Sequence, residues 1–110
     1  MKDDRLYLVH MLERCQRVGR FTAPGQQKFS VSEEMQDAVI RNIEVIGEAA
    51  KRVSEASRQQ MPSVDWKRIC GMRDVLIHDY MGVDLDEVWN VAILRIPELQ
   101  TELERFLASK

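Results

Sequence analysis

Between Gly71 and Tyr80 an arginine, two aspartates, a histidine and a tyrosine interrupt an otherwise apolar run: Arg73, Asp74, His78, Asp79 and Tyr80. His78 is the motif side chain whose ordinary pKa suits proton transfer near neutral pH. Arg73 carries a planar guanidinium that grips two oxygens of one phosphate. On a helix Asp74 lies one turn before His78 on the same face, where its carboxylate could accept an imidazole N–H and fix the ring's tautomer. Tyr80 could donate a hydrogen bond to the same phosphate. These residue types suit cleavage of a phosphodiester whose substrate brings its own nucleophile, as RNA does with its 2′-hydroxyl. Such a reaction needs a base, a proton for the leaving 5′-oxygen and positive charge against the developing phosphorane. It needs no metal.

Helical geometry restricts how the set can meet. Arg73 and Tyr80 are two turns apart and nearly eclipse each other, whereas Arg73 and His78 are separated by about 140° around the axis. One straight helix therefore cannot present guanidinium and imidazole as neighbours. Either the helix frays after Ile77, helped by Gly82 just beyond, or a second copy of the chain supplies part of the site. A twofold dimer would bring two histidines and two arginines to one cleft, giving both an acid and a base.

The elements that must hold this stretch read as helices throughout. A first helix is predicted over residues 3–19, capped by Asp3 or Asp4, with Leu8, Met11, Leu12, Cys15 and Val18 at helical spacing. Gly19 and the stretch from Phe21 to Gly25 end it, and His10 falls on its polar side. Ser30 or Ser32 opens the longest helix, with Glu33 and Glu34 favourable to its dipole. Met35, Val39, Asn42, Ile46, Ala49 and Val53 then form a packing seam with one polar member. Asn42 is either a core amide that fixes register or a residue lining a cleft near the motif. Asp37, Arg41, Glu44, Glu48 and Lys51 share the opposite, polar face. That face is simply solvated, or Glu44 or Glu48 reaches the motif's arginine or histidine.

Ser54 to Gln60 predicts a short helical turn closed by Met61-Pro62-Ser63. Asp65 can cap the helix that begins at Trp66 and runs into the motif. Gly71 inside that helix costs about 1 kcal/mol against alanine, which a kink or a close helix contact would explain. Asp84 and Glu87 form a capping box for a helix containing Leu85, Val88, Trp89, Ala92 and Ile93. Pro97 suits the first turn of a further segment, or a kink, leading into Leu99, Leu103, Phe106 and Leu107. The expected fold is all-α: residues 1–110 as a single domain, an up-and-down bundle of four main helices with additional short ones.

Composition agrees and narrows the partners. The chain has 110 residues, 45% of them hydrophobic, with three prolines, enough to bury a core without covalent staples. No run approaches the ~20 apolar residues of a membrane helix. The N-terminus, Met1 to Arg5, lacks a hydrophobic signal core, so a cytoplasmic location is expected. Cys15 and Cys70 are expected to be reduced, buried apolar residues, and with His10 and His78 they make no zinc spacing. Neither a metal nor another cofactor is expected. The net charge is −2, with nine basic and nine acidic side chains in residues 1–55 and seven and nine in 56–110. That balance argues against nucleic-acid binding by the whole surface and leaves room for a small basic cleft.

The pattern Arg73-x4-His78-x-Tyr80 resembles the R-x4-6-H signature of HEPN domains, most closely the HepT toxins encoded beside MNT-type minimal nucleotidyltransferases. The resemblance covers nearly the whole chain. The stretch from Arg41 to Lys51 looks like the family's long second helix, Trp66 to Asp74 like its approach to the motif, and Val83-Asp84-Leu85 with Val88-Trp89 like its next helix. The resemblance implies a metal-independent endoribonuclease toxin acting as a homodimer on RNA, with Arg73, His78, Asp74 and Tyr80 at the site. It further implies an antitoxin partner, a nucleotidyltransferase that transfers AMP onto Tyr80. An adenylate beside Arg73 and His78 would add negative charge and bulk in the phosphate site and block RNA.

One position departs from the family pattern. Many relatives have asparagine after the arginine, and here it is Asp74. An acid beside a phosphate-binding arginine repels phosphate unless it is tied to His78 or Arg73. Two other readings therefore stand beside the toxin. In one, a noncatalytic HEPN module binds and presents substrate to a partner nucleotidyltransferase. In the other, the Arg–Asp–His–Tyr group is a satisfied polar network in a structural helical protein.

Overall fold

The computed structural model describes residues 2–78 and 84–109, with side chains described for residues 4–72 and 84–109. The first helix, α1 (Lys2–Thr22), runs three residues past the predicted stop at Gly19. Two features carry it through. Val18 is fully buried one residue earlier, and the Thr22 hydroxyl donates back to the Val18 carbonyl at 2.9 Å. The chain turns at Gly25, whose φ of 105° is in the region that favours glycine. A short helix, α2 (Gln26–Val31), follows in a stretch to which the sequence reading assigned no element; it seats Phe29 in the core against Trp89, ring centroids 5.2 Å apart.

Ser32 caps α3 (Glu33–Ala50), its hydroxyl accepting from the Met35 N–H at 3.2 Å. Every member of the predicted seam, Met35, Val39, Asn42, Ile46, Ala49 and Val53, is buried. The helices α1 and α3 are antiparallel and pack closely. Their ends are tied by Asp4, whose carboxylate accepts from the Ser54 N–H at 3.0 Å, the Ser54 hydroxyl, and the Ser57 hydroxyl at 2.7 Å. Ser54 in turn caps the short helix α4 (Glu55–Gln59). Those hydrogen bonds hold the Asp4 carboxyl below its ordinary pKa against the cost of burial.

The motif-bearing helix is α5 (Trp66–His78), packed on α3. Asp84 caps α6 (Leu85–Asn90) through its carboxylate, which accepts from the Asp86 and Glu87 N–H groups. The reciprocal half of the expected capping box is absent: the Glu87 carboxylate instead stands 3.9 Å from Arg68 across the surface. The helix containing Leu85, Val88, Trp89 and Ala92 does not stay α-helical. Residues Val91–Arg95 form a π turn that leads into α7 (Ile96–Ala108), with Pro97 in its first turn. Proline has no N–H to donate and its ring crowds the carbonyl four residues back; the wider turn relieves both demands. Ile93, expected with the apolar set of this helix, is 40% exposed in that turn, and Leu94 beside it 55%.

Among the described residues the fold is therefore all-α, without strands: α1, α3, α5 and the α6–α7 pair form the four-part bundle, and α2 and α4 are the short additions. No described helix is long and apolar enough to cross a membrane. Cys15 and Cys70 are both free. Cys15 is fully buried, which pushes its thiol up to about 12. Cys70 is only half-buried, a departure from the expected core thiol.

Candidate active site

The helix α5 is positioned from its N-terminal half. Asp65 caps it as expected, its carboxylate accepting from the Arg68 N–H at 3.1 Å. Trp66 is buried and its indole N–H donates to the Met61 carbonyl at 3.3 Å, while Ile69 one turn on enters the same core. Arg58 of α4 braces the assembly. Its guanidinium lies over the Trp66 ring, 5.6 Å from the centroid, and donates to the Ala50 carbonyl at 2.9 Å and to Cys70 Sγ at 3.6 Å. One arginine thus joins the end of α3 to the start of the motif helix. Sequence periodicity gave no sign of this; only the proximity of Trp66 to a cation-bearing turn hinted at it.

The backbone of Arg73, Asp74 and His78 lies within α5. Asp74 and His78 are one turn apart, and Arg73 and His78 are separated by about 140° around the axis. The helix does not unwind directly after Ile77, because His78 is still helical. Gly82, expected to help the helix fray, lies outside the described residues together with Asp79 and Tyr80, as do the side chains of Arg73, Asp74 and His78.

Two grooves flank the approach to the motif. One, of about 480 Å³, is bounded by Ile43 of α3, Gly71 and Met72 of α5, Val88 of α6 and Val91 just beyond it, with Lys67, Arg68 and Glu87 around it. The other, of about 470 Å³, lies between α5 and α7, with Ile69, Met72 and Leu99 among its walls and Arg95, Glu98 and Glu102 among its charges. Gly71 has no described atom within 4 Å of where a Cβ would stand. A close helix contact is therefore not the reason for this glycine among the described residues; it opens onto a groove. On the second groove's wall Glu102 accepts from Arg105 at 2.7 Å and from the Ser63 hydroxyl. These bonds, Arg105 first, lower its carboxyl to about 2.

The three residues proposed from sequence on α3 separate in space. Asn42 is buried, its Oδ1 accepting from Arg14 Nη1 of α1 at 3.1 Å while its Nδ2 donates to the Ala38 carbonyl at 2.7 Å. Its amide is thus committed between α3 and α1. Glu44 is half-buried and Glu48 exposed, on the same helix that carries Ile43 to the first groove.

An all-helical bundle with a motif-bearing helix set between two grooves defines a class of protein, and comparison with known proteins defines the family. A family model described as Ribonuclease HepT-like matches residues 11–106. The chain belongs to that family. It is 36% identical to a protein of Caldanaerobacter subterraneus subsp. tengcongensis named "Putative RNase", over 97% of this chain and 96% of that one. It is 34% identical to "Probable ribonuclease HepT" of Thermococcus cleftensis, over 90% of this chain and 91% of the other. A protein of Methanocaldococcus jannaschii named "Gamma-glutamylcyclotransferase and putative RNase" is 39% identical over 96% of this chain, but the chain spans only 48% of that relative's length. No solved structure matches.

Proposed function

We propose that this chain is a metal-independent endoribonuclease that works as a homodimer and is silenced by an MNT-type nucleotidyltransferase. The family membership and the relatives' names support an RNase. The observation that carries the finer reading is the helical backbone through His78. Arg73 and His78 then leave α5 about 140° apart, so one chain leaves the phosphate grip and the proton shuttle on different sides. Two copies related by a twofold axis supply both to one cleft.

In that cleft one His78 takes the 2′-hydroxyl proton and the other protonates the leaving 5′-oxygen, while the two Arg73 side chains hold the phosphate oxygens. Asp74 orients His78. Tyr80 assists at the phosphate and is the acceptor of AMP, its adenylylated form filling the phosphate site with negative charge. Incubation with the nucleotidyltransferase, ATP and magnesium, followed by intact mass and RNA cleavage, tests the whole scheme. The expected result is a gain of AMP units on Tyr80, absent in Tyr80→Phe, together with loss of cleavage. Modification of a protein that never cleaved RNA would favour a noncatalytic module instead.

A further inference from the structure

The α1–α3 seam carries a second feature with no part in the motif. Along α1 the residues Tyr7, His10, Arg14, Arg17 and Phe21 recur at intervals of three and four, one stripe on one face. The antiparallel α3 brings Asn42 against Arg14, with Arg41 beside it, and the following turn brings Arg52 over the Tyr7 ring at 5.9 Å. Four arginines therefore line one seam with an aromatic ring toward each end. From Tyr7 to Phe21 it extends about 21 Å along the α1 axis.

Three arginines elsewhere on the molecule are neutralised. Arg68, Arg95 and Arg105 each pair with a carboxylate. Arg14 and Arg52 instead meet neutral groups, the Asn42 amide and the Tyr7 ring. Arg14 is half-buried and its side-chain partner is the neutral amide of Asn42. Burial first, and then the charges of Arg17 and Arg41, disfavour its cationic form, only partly offset by Glu13. Asp37, Glu44 and Glu48 share the polar face of α3 with Arg41 and temper the field at its outer edge. A set of mutually repelling cations, one of them fixed by a core amide, is relieved by a polyanion laid along it. The Phe21 ring suits an unpaired base, since every base has a face to stack and only single strands expose it, while Arg52 already covers a face of Tyr7. Phe21 is 39% exposed and Tyr7 half-buried.

We propose that the α1–α3 seam, with Arg14, Arg17, Arg41 and Arg52 along it and Tyr7 and Phe21 toward its ends, binds the phosphate backbone of single-stranded RNA away from the motif helix. The inference deepens the RNase reading by giving the substrate a path of its own on each chain, and it rests on RNA being that substrate. It also answers the charge balance: a chain of net charge −2 can hold RNA when several cations are gathered on one seam.

The test is fluorescence anisotropy with a labelled single-stranded oligouridylate in EDTA, using His78→Ala protein so that binding is read without cleavage. Arg17→Ala/Arg41→Ala removes two exposed cations and leaves the Arg14–Asn42 bond in place. The expected result is a roughly tenfold loss of affinity at low salt and a salt slope shallower by about 1.4, two phosphate contacts' worth. Arg5→Ala/Lys28→Ala, an equal charge change at two exposed cations, the first on the opposite face of α1 from Arg14 and the second on α2, should leave both unchanged. An undiminished affinity and slope in the seam variant would overturn the proposal, as would an equal loss in the control pair. Retained RNA binding with loss of binding to polyglutamate would overturn it in favour of an acidic protein surface. Cleavage by the otherwise unchanged chain, measured separately, keeps the two readings apart: seam-dependent binding without cleavage removes the RNase reading alone.

Discussion

The two sides of α3 are built differently. Toward α1 the interface is closed: Leu8, Met11, Cys15 and Val18 meet Val39, Ile46 and Ala50, all at most 1% exposed, and Asp4 and Arg14 at its margins are hydrogen-bonded across it. Toward α5 the packing is interrupted. Trp66 and Ile69 enter the core, but Gly71 and Met72 face grooves, and the residues from Arg73 onward follow directly. Closed packing with satisfied polar groups makes a rigid platform, and function commonly sits on the less filled side. The contrast teaches that α1–α3 is the support on which the motif helix is mounted, and that Arg58 is the bracket between them.

Substitutions on the two sides should therefore differ sharply. Ile46→Ala, in the closed interface and fully buried, should destabilise by roughly 2–5 kcal/mol, whereas Met72→Ala, half-buried at the grooves, should cost less than about 1 kcal/mol. Urea unfolding of both variants measures this, and equal losses would break the comparison. Asp4→Ala removes the acceptor for three hydrogen bonds and should cost about 2–3 kcal/mol.

Asp4 also gives the closed side a pH signature. Its folded pKa lies below the ordinary carboxyl value, so its contribution is complete above the unfolded pKa and is lost as pH falls through the folded one. Chemical denaturation from pH 6 downward should show a decline below about pH 4 that is smaller in Asp4→Asn. At the other end of the scale, Gly71→Ala meets no described neighbour and should stabilise α5 by about 0.5–1 kcal/mol. Thermal unfolding would register it as a rise in midpoint. Thiol labelling gives the smallest readout: in the native protein Cys70 should react and buried Cys15 should not, with both reacting in denaturant.

What the sequence made legible was local chemistry. Ser32, Asp65 and Asp84 are side-chain acceptors placed before helical periodicity, and each caps the helix expected of it. The 4-3-4-3-4 spacing from Met35 to Val53 identified the buried stripe of α3 because burial follows the helical repeat. The misses came from tertiary context. Gly19 weakens a helix on its own, yet the buried Val18 and the Thr22 hydroxyl hold the turn. Pro97 signalled a break, but whether it yields a stop, a kink or a π turn depends on how the next helix must pack. At the site, the residue types in R-x4-H-x-Y were readable, and the grooves beside them were not. A groove is a gap between helices and has no letter of its own. The pairing of Asn42 with Arg14 likewise joins positions 28 apart, beyond any helical repeat.

The central claim is that His78 performs RNA cleavage without a metal ion. The direct measurement is the cleavage rate of a labelled single-stranded RNA in excess EDTA, by the unaltered chain and by His78→Ala, with thermal unfolding of both. The account predicts cleavage by the former and a loss of roughly 10²–10⁴-fold in the latter at an unchanged melting temperature. Equal cleavage by both proteins, or none by either until a divalent metal is added, would contradict it.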